Sequence, residues 1–116
     1  MNFYFVDDDK NVRNILKILV TDRQLGKCCG SSGNGYDALE DVEALHPDII
    51  LVDLLMPDMD GISFVEKVRD ISPDSVCIMI SQVASKDLIA KAYEAGVEFF
   101  IQKPINAIEV EAVIRN

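Results

Sequence analysis

Two runs in the middle of the chain are apolar without interruption: Ile49-Ile50-Leu51-Val52 and Val76-Cys77-Ile78-Met79-Ile80. They are rich in β-branched residues and too short for core helices, so they read as strands buried on both faces, as in parallel sheets. Each run ends in a polar residue, Asp53 and Ser81. Phe3-Tyr4-Phe5-Val6 has the same character and ends in Asp7-Asp8-Asp9, and Val97 to Ile101 ends in Gln102-Lys103-Pro104. Between these runs lie segments with helical spacing. Val12, Ile15, Leu16 and Leu19 mark one buried face, with Asp9 as N-cap. Ala38, Leu39 and Val42 mark a second helix over Tyr36 to Leu45. Phe64, Val65 and Val68 mark a third from about Gly61 to Ile71, capped by Asp60. Leu88, Ile89, Ala92 and Ala95 mark a fourth, opened by Ser85 and closed by Gly96. Asn106 with Glu109 opens a short last helix.

A weak edge strand is expected within Gln24 to Gly30. The segment from Gly30 to Gly35 then reads as a strand-to-helix loop; it lacks the Gly-Lys-Ser/Thr ending of a phosphate loop. Strand and helix therefore alternate five times. That pattern predicts an α/β fold, a flavodoxin-like (βα)5 three-layer sandwich with a parallel sheet of order 2-1-3-4-5. In that order, Asp7, Asp8, Asp53, Ser81 and Lys103 converge at the carboxyl edge of the sheet, where such folds place their ligand crevices.

The 116 residues make one domain. A net charge of −9, from 11 basic and 20 acidic residues, argues against direct nucleic-acid binding and against an anionic membrane surface. No apolar run approaches the ~20 residues of a membrane span. Asp7-Asp8-Asp9 breaks the only early apolar run, so no signal peptide is read. Cys28, Cys29 and Cys77 suit no disulfide framework, which points to a reducing, cytoplasmic setting. His46, beside Pro47 in a short connection, reads as an exposed loop residue.

Three carboxylates facing one ammonium leave a net negative crevice. Crowded carboxylates raise one another's pKa unless a cation is present. An all-oxygen set with room for water suits Mg2+. Asp53 is then a candidate nucleophile toward a phosphoryl group neutralised by Mg2+ and Lys103, with Ser81 donating a hydrogen bond.

The acidic Asp7-Asp8, Asp53 with Met56-Pro57-Asp58-Met59-Asp60-Gly61, Ser81, and Lys103-Pro104 resemble the receiver domain of bacterial two-component response regulators along essentially the whole chain. The resemblance implies Asp53 as phosphoacceptor, Asp8 as a direct Mg2+ ligand, Asp7 as a ligand through water, and the Leu55 backbone carbonyl as a further ligand. It implies Lys103 as the partner of Asp53 and of the phosphoryl group. Ser81 and Phe100 become the switch pair that reports to the face made by helix four, strand five and helix five. It also implies a sensor histidine kinase as partner, docking around Val12 to Leu19 and the loop after Lys103. A phosphorelay function without turnover of an external substrate follows, as does a C-terminal DNA-binding output domain beyond this chain, which would be the N-terminal piece of a longer regulator. A homodimer formed on phosphorylation is not assumed, because Glu98-Phe99 keeps only one acid of the family's usual pair.

The family's route for hydrolytic water passes the positions of Leu55 and Val83. Both are apolar, so slow self-dephosphorylation is expected. Ile80 to Val83 and Phe99 to Asn106 are similar to regulators of glutamine utilisation in Gram-positive bacteria. Two alternatives stand beside this reading. A phosphatase of the haloacid-dehalogenase type needs an acid where Leu55 lies. A receiver-like interaction module that is never phosphorylated would usually have lost the acceptor, the acid pair or the Lys.

Overall fold

The computed structural model describes all residues from Met1 to Asn116. Five strands and five helices alternate: β1 (Asn2–Val6), α1 (Lys10–Asp22), β2 (Lys27–Ser32), α2 (Gly35–Leu45), β3 (Ile49–Asp53), α3 (Gly61–Ile71), β4 (Val76–Ser81), α4 (Lys86–Ala95), β5 (Val97–Gln102) and α5 (Ala107–Arg115). The sheet is parallel, with order β2-β1-β3-β4-β5. The expected flavodoxin-like topology is therefore the observed one.

Side chains alternate across the pleat. Tyr4, Val6, Ile50, Val52, Cys77 and Met79 pack on one face with Ala38 and Val42 of α2, Phe64, Val65 and Val68 of α3, and Ala92 of α4. Phe3, Phe5, Ile49, Leu51, Ile78, Ile80 and Ile101 pack on the other with Leu16, Leu19 and Val20 of α1 and Val110 of α5. Three helices thus cover one face and two the other, and all three central strands are dry on both sides.

The helices begin where side chains can satisfy their free N–H groups. Asp9 accepts from Asn11, Asn34 from Asp37, Asp60 from Ser63, Ser85 from Leu88, and Asn106 from Ile108 and Glu109. Gly96 closes α4 at φ 118, a left-handed conformation that favours glycine.

Two expectations need correction. The buried face of α1 is Leu16, Leu19 and Val20, while Ile15 is 49% exposed. The helix is rotated so that Ile15 and Ile18 face outward, and Val12 is only half-buried. The edge strand β2 runs later than Gln24–Gly30, so Gly30, Ser31 and Ser32 belong to the strand and the following loop is only Gly33-Asn34. The register explains this. Phe3 pairs with Cys28 but Tyr4 pairs with Gly30, skipping Cys29. A Cβ on Gly30 would lie 2.9 Å from Cε2 of Tyr4, so a glycine there admits the buried tyrosine ring. Tyr4 then donates a hydrogen bond from Oη to Asp41 Oδ2 of α2 at 2.5 Å.

The edge of the sheet opposite Asp53 carries a polar chain. Ser75 Oγ donates to the Pro47 carbonyl at 2.5 Å, Ser72 and Ser75 hydroxyls lie 2.7 Å apart, and His46 Nδ1 lies 3.1 Å from Ser72 Oγ. With the Ser75 proton used on Pro47, Ser72 donates to Ser75 and accepts from His46 Nδ1–H. His46 is exposed as expected, and it also ends α2 in a left-handed conformation.

Candidate functional site

Four of the five strands, all but the edge strand β2, deliver a component of the site at their carboxyl ends. Asp7 follows β1, Asp53 ends β3, Ser81 ends β4, and Lys103 follows β5. The Lys103 N–H donates to the Ser81 carbonyl at 2.8 Å, which fixes where the Lys103 side chain starts. Its ammonium then lies 3.1 Å from Asp7 Oδ2 and 3.4 Å from Asp53 Oδ2. Asp7 is buried, and its second oxygen accepts the Asp9 N–H at 2.9 Å. Asp53 is buried, with its other oxygen 3.4 Å from the Leu55 nitrogen. Asp8 is exposed. One carboxylate oxygen from each of Asp7, Asp8 and Asp53 lies within 4.8 Å of the others.

The turn after β3 keeps this cluster open. Gly61 N–H donates to the Leu54 carbonyl at 2.8 Å. A Cβ on Gly61 would collide with the backbone carbonyl of Asp53, so the chain folds back tightly only because residue 61 has none. Leu55 stays 55% exposed above the site.

Burial, then the charge of Asp7, pushes the Asp53 carboxyl above its usual range; the Lys103 charge and the Leu55 N–H pull against this. For Lys103, burial alone would lower the pKa. The hydrogen bond and charge of Asp7, joined by Asp53, outweigh it, so the net direction is upward. The ammonium is therefore secure, and the strain of the cluster falls on Asp53. The donor set is all oxygen and under-neutralised, and Asp8 and Leu55 open it to water. These are the requirements of a hard divalent cation such as Mg2+.

Ser81 is fully buried, and its Oγ accepts the Val83 N–H at 3.1 Å. It stands behind the cavity that Asp8, Asp9, Asp53, Leu55, Gln82 and Lys103 line. Phe100 is half-buried against the core on the α4 side, and its N–H donates to Tyr93 Oη at 3.2 Å. Asp7, Asp8, Asp53 and Lys103 thus come together as expected, while Ser81 and Phe100 sit one layer away. Arg13 was not foreseen. Its Nη1 donates to the Asp7 carbonyl at 2.6 Å, with Gly33 leaving room beside the guanidinium. A cation one helical turn past Asp9 was the available signal.

Residues 3–115 match the family model of the response regulator receiver domain. The chain belongs to that family. Its members serve two-component systems, in which phosphorylation of an aspartate controls an output. The chain is 38% identical to the transcriptional regulatory protein GlnL of Bacillus subtilis over 116 residues, 99% of this chain but 37% of that protein. It is thus little more than a third of that relative's length. The response regulator domain of Thermotoga maritima CheB superposes with a TM-score of 0.90 at 27% identity, covering 99% of this chain and 93% of that one. The beryllofluoride-activated NtrC4 receiver domain dimer does so with a TM-score of 0.90 at 26% identity, covering 98% and 93%. No helix is long and apolar enough to cross a membrane.

Proposed function

We propose that Asp53 is the phosphoacceptor of this receiver domain, taking a phosphoryl group from a sensor histidine kinase. The observation that carries the reading is the Lys103 ammonium shared between Asp7 and Asp53 at the rim of a three-carboxylate cluster. Asp8, Asp53 and the Leu55 carbonyl would hold Mg2+, with Asp7 reaching it through water. Bound there, the ion would supply the positive charge that phosphoryl transfer needs.

The chain's own groups have separate tasks. An Asp53 carboxylate oxygen attacks phosphorus, and the donor's leaving group departs with the electron pair of the broken P–O or P–N bond. Lys103 faces the incoming oxygens from the β5 side. Ser81 can exchange its bond with the Val83 N–H for donation to a phosphoryl oxygen. Movement of Ser81 frees space for the Phe100 ring, and the α4–β5–α5 face is the surface read by the output. The output is transcriptional, through a C-terminal DNA-binding domain outside this chain. The likeness to the transcriptional regulatory protein GlnL supports that reading. The likeness to an activated receiver dimer supports pairing on phosphorylation. The kinase docks on the exposed Ile15 and Ile18 and the segment after Lys103. The acidic balance and unpaired thiols fit a cytoplasmic signalling protein.

Incubation with Mg2+ and a small phosphodonor, followed by intact mass measurement, tests this. The expected product is a single, slowly lost phosphate adduct that is absent in Asp53→Asn. Steady phosphate release would indicate a hydrolase, and no adduct would indicate an unphosphorylated interaction module.

A further inference from the structure

Leu55, which lines the Asp53 cavity, and Val83, two residues after Ser81, offer no side-chain hydrogen bond to a water. Leu55 and Val83 are both exposed and both apolar. Of the other groups around the carboxylate, Asp8 and Asp9 are acids and the rest are engaged. Lys103 is held by Asp7 and Asp53, the Leu55 N–H points at Asp53, and the Val83 N–H points at Ser81.

One neutral polar side chain remains, Gln82. It is exposed and lines the acidic cavity together with Asp53, Leu55 and Lys103. It also lines the adjoining apolar groove formed with Val12, Ile15 and Ile105. Gln82 and Lys103 are the two residues common to both cavities, and the Lys103 ammonium is already committed. Gln82 therefore stands at the junction between solvent, groove and acceptor, with a carboxamide free of any partner in the protein. It has two donors and one acceptor oxygen and carries no charge.

We infer that Gln82 orients the water that hydrolyses the Asp53 acyl phosphate, and so sets the lifetime of the signal. The inference rests on Asp53 being the phosphoacceptor. The amide oxygen accepts a hydrogen bond from the attacking water, and the amide N–H donates to a phosphoryl oxygen. The water oxygen bonds to phosphorus as the P–O bond to Asp53 breaks. The electron pair returns to the Asp53 carboxylate, and the water proton leaves with inorganic phosphate. Nothing is oxidised or reduced, and Gln82 stays neutral throughout. An amide can align a water in this way without acting as a base, as in other phosphoryl hydrolysis sites.

The test compares wild type, Gln82→Ala and Gln82→Leu, each phosphorylated with acetyl phosphate and Mg2+, then freed of donor and followed by intact mass. Gln82→Leu keeps the bulk and loses the hydrogen bonds, so both variants should lose the adduct more slowly. The expected factor is roughly three- to tenfold, below the ~100-fold of a true general base because an amide transfers no proton. Mg2+ affinity, measured by calorimetry on the unphosphorylated proteins, should be the same in all three. Faster loss in Gln82→Ala would show the side chain to be a steric gate and overturn the inference. A wild-type rate in Gln82→Leu would overturn it too, as would a lifetime change that tracks Mg2+ affinity. If wild type forms no adduct, the phosphoacceptor reading itself fails.

Discussion

Asp53 is a buried carboxylate whose environment works against its charge. Burial and the Asp7 charge both disfavour its ionised form. Its folded pKa therefore lies above the unfolded value, and the sign of the linkage follows. The group's contribution to stability is full below the unfolded pKa and is lost as pH rises through the folded one. At neutral pH, without metal, the ionised carboxylate destabilises the fold. Asp53→Asn should stabilise the metal-free protein by on the order of 1 kcal/mol at pH 7. The gain should shrink as pH falls toward the ordinary carboxylate range. Urea unfolding of both proteins at pH 7 and pH 4.5 measures this; a less stable Asn variant at pH 7 would contradict it. Among individual residues, the acids and Lys103 were legible because each lies within two residues of the end of a strand-like run. Gln82 and Arg13 were not, because a neutral amide and a helical Arg look like ordinary solvated residues until the cavity and the Asp7 carbonyl are seen beside them.

At the scale of elements, α1 offers a sharp contrast between neighbours. Ile15 and Leu16 both fit the helical stripe, yet Ile15 is 49% exposed and Leu16 only 2%. Leu16→Ala should cost about 2–5 kcal/mol through lost burial and a cavity against Phe3 and Phe5. Ile15→Ala should stay within about 0.5 kcal/mol. Denaturant midpoints read the difference, and equal losses would mean that α1 sits in another rotation. Periodicity identified this helix but not its rotation, because apolar residues at 12, 15, 16, 18, 19 and 20 span more than one face. The edge strand lies later than its residues suggest for a different reason. Lys27-Cys28-Cys29-Gly30-Ser31-Ser32 lacks the branched and aromatic residues that announce a strand. What holds it is pairing with β1 and the space Gly30 leaves for Tyr4, both tertiary facts. By contrast, β3, β4, α3 and the Gly96 cap were readable locally, and the structure keeps them where the residues put them.

For the whole molecule, strand order follows from alternation and handedness, so the architecture was the most legible level of all. The site couples to global stability because its acids come from the loop after β1 and from the last residue of β3. An ion binding only the folded chain stabilises it by mass action. Millimolar Mg2+ should therefore raise the thermal midpoint, chelator should reverse the rise, and Asp8→Asn should abolish most of it while leaving the metal-free midpoint nearly unchanged. An equal rise in Asp8→Asn would mean that the ion acts elsewhere. The two rims of the sheet carry different kinds of polar group. One holds acids and an ammonium around Asp53, while the other holds the His46–Ser72–Ser75–Pro47 chain, which ties the loop before β3 to the loop before β4. The two sets share no residue and lie at opposite ends of the strands. Lineages can therefore retune the duration of a response at the upper rim while keeping every hydrogen bond of the lower one, and the two sets meet only in the stability that they share.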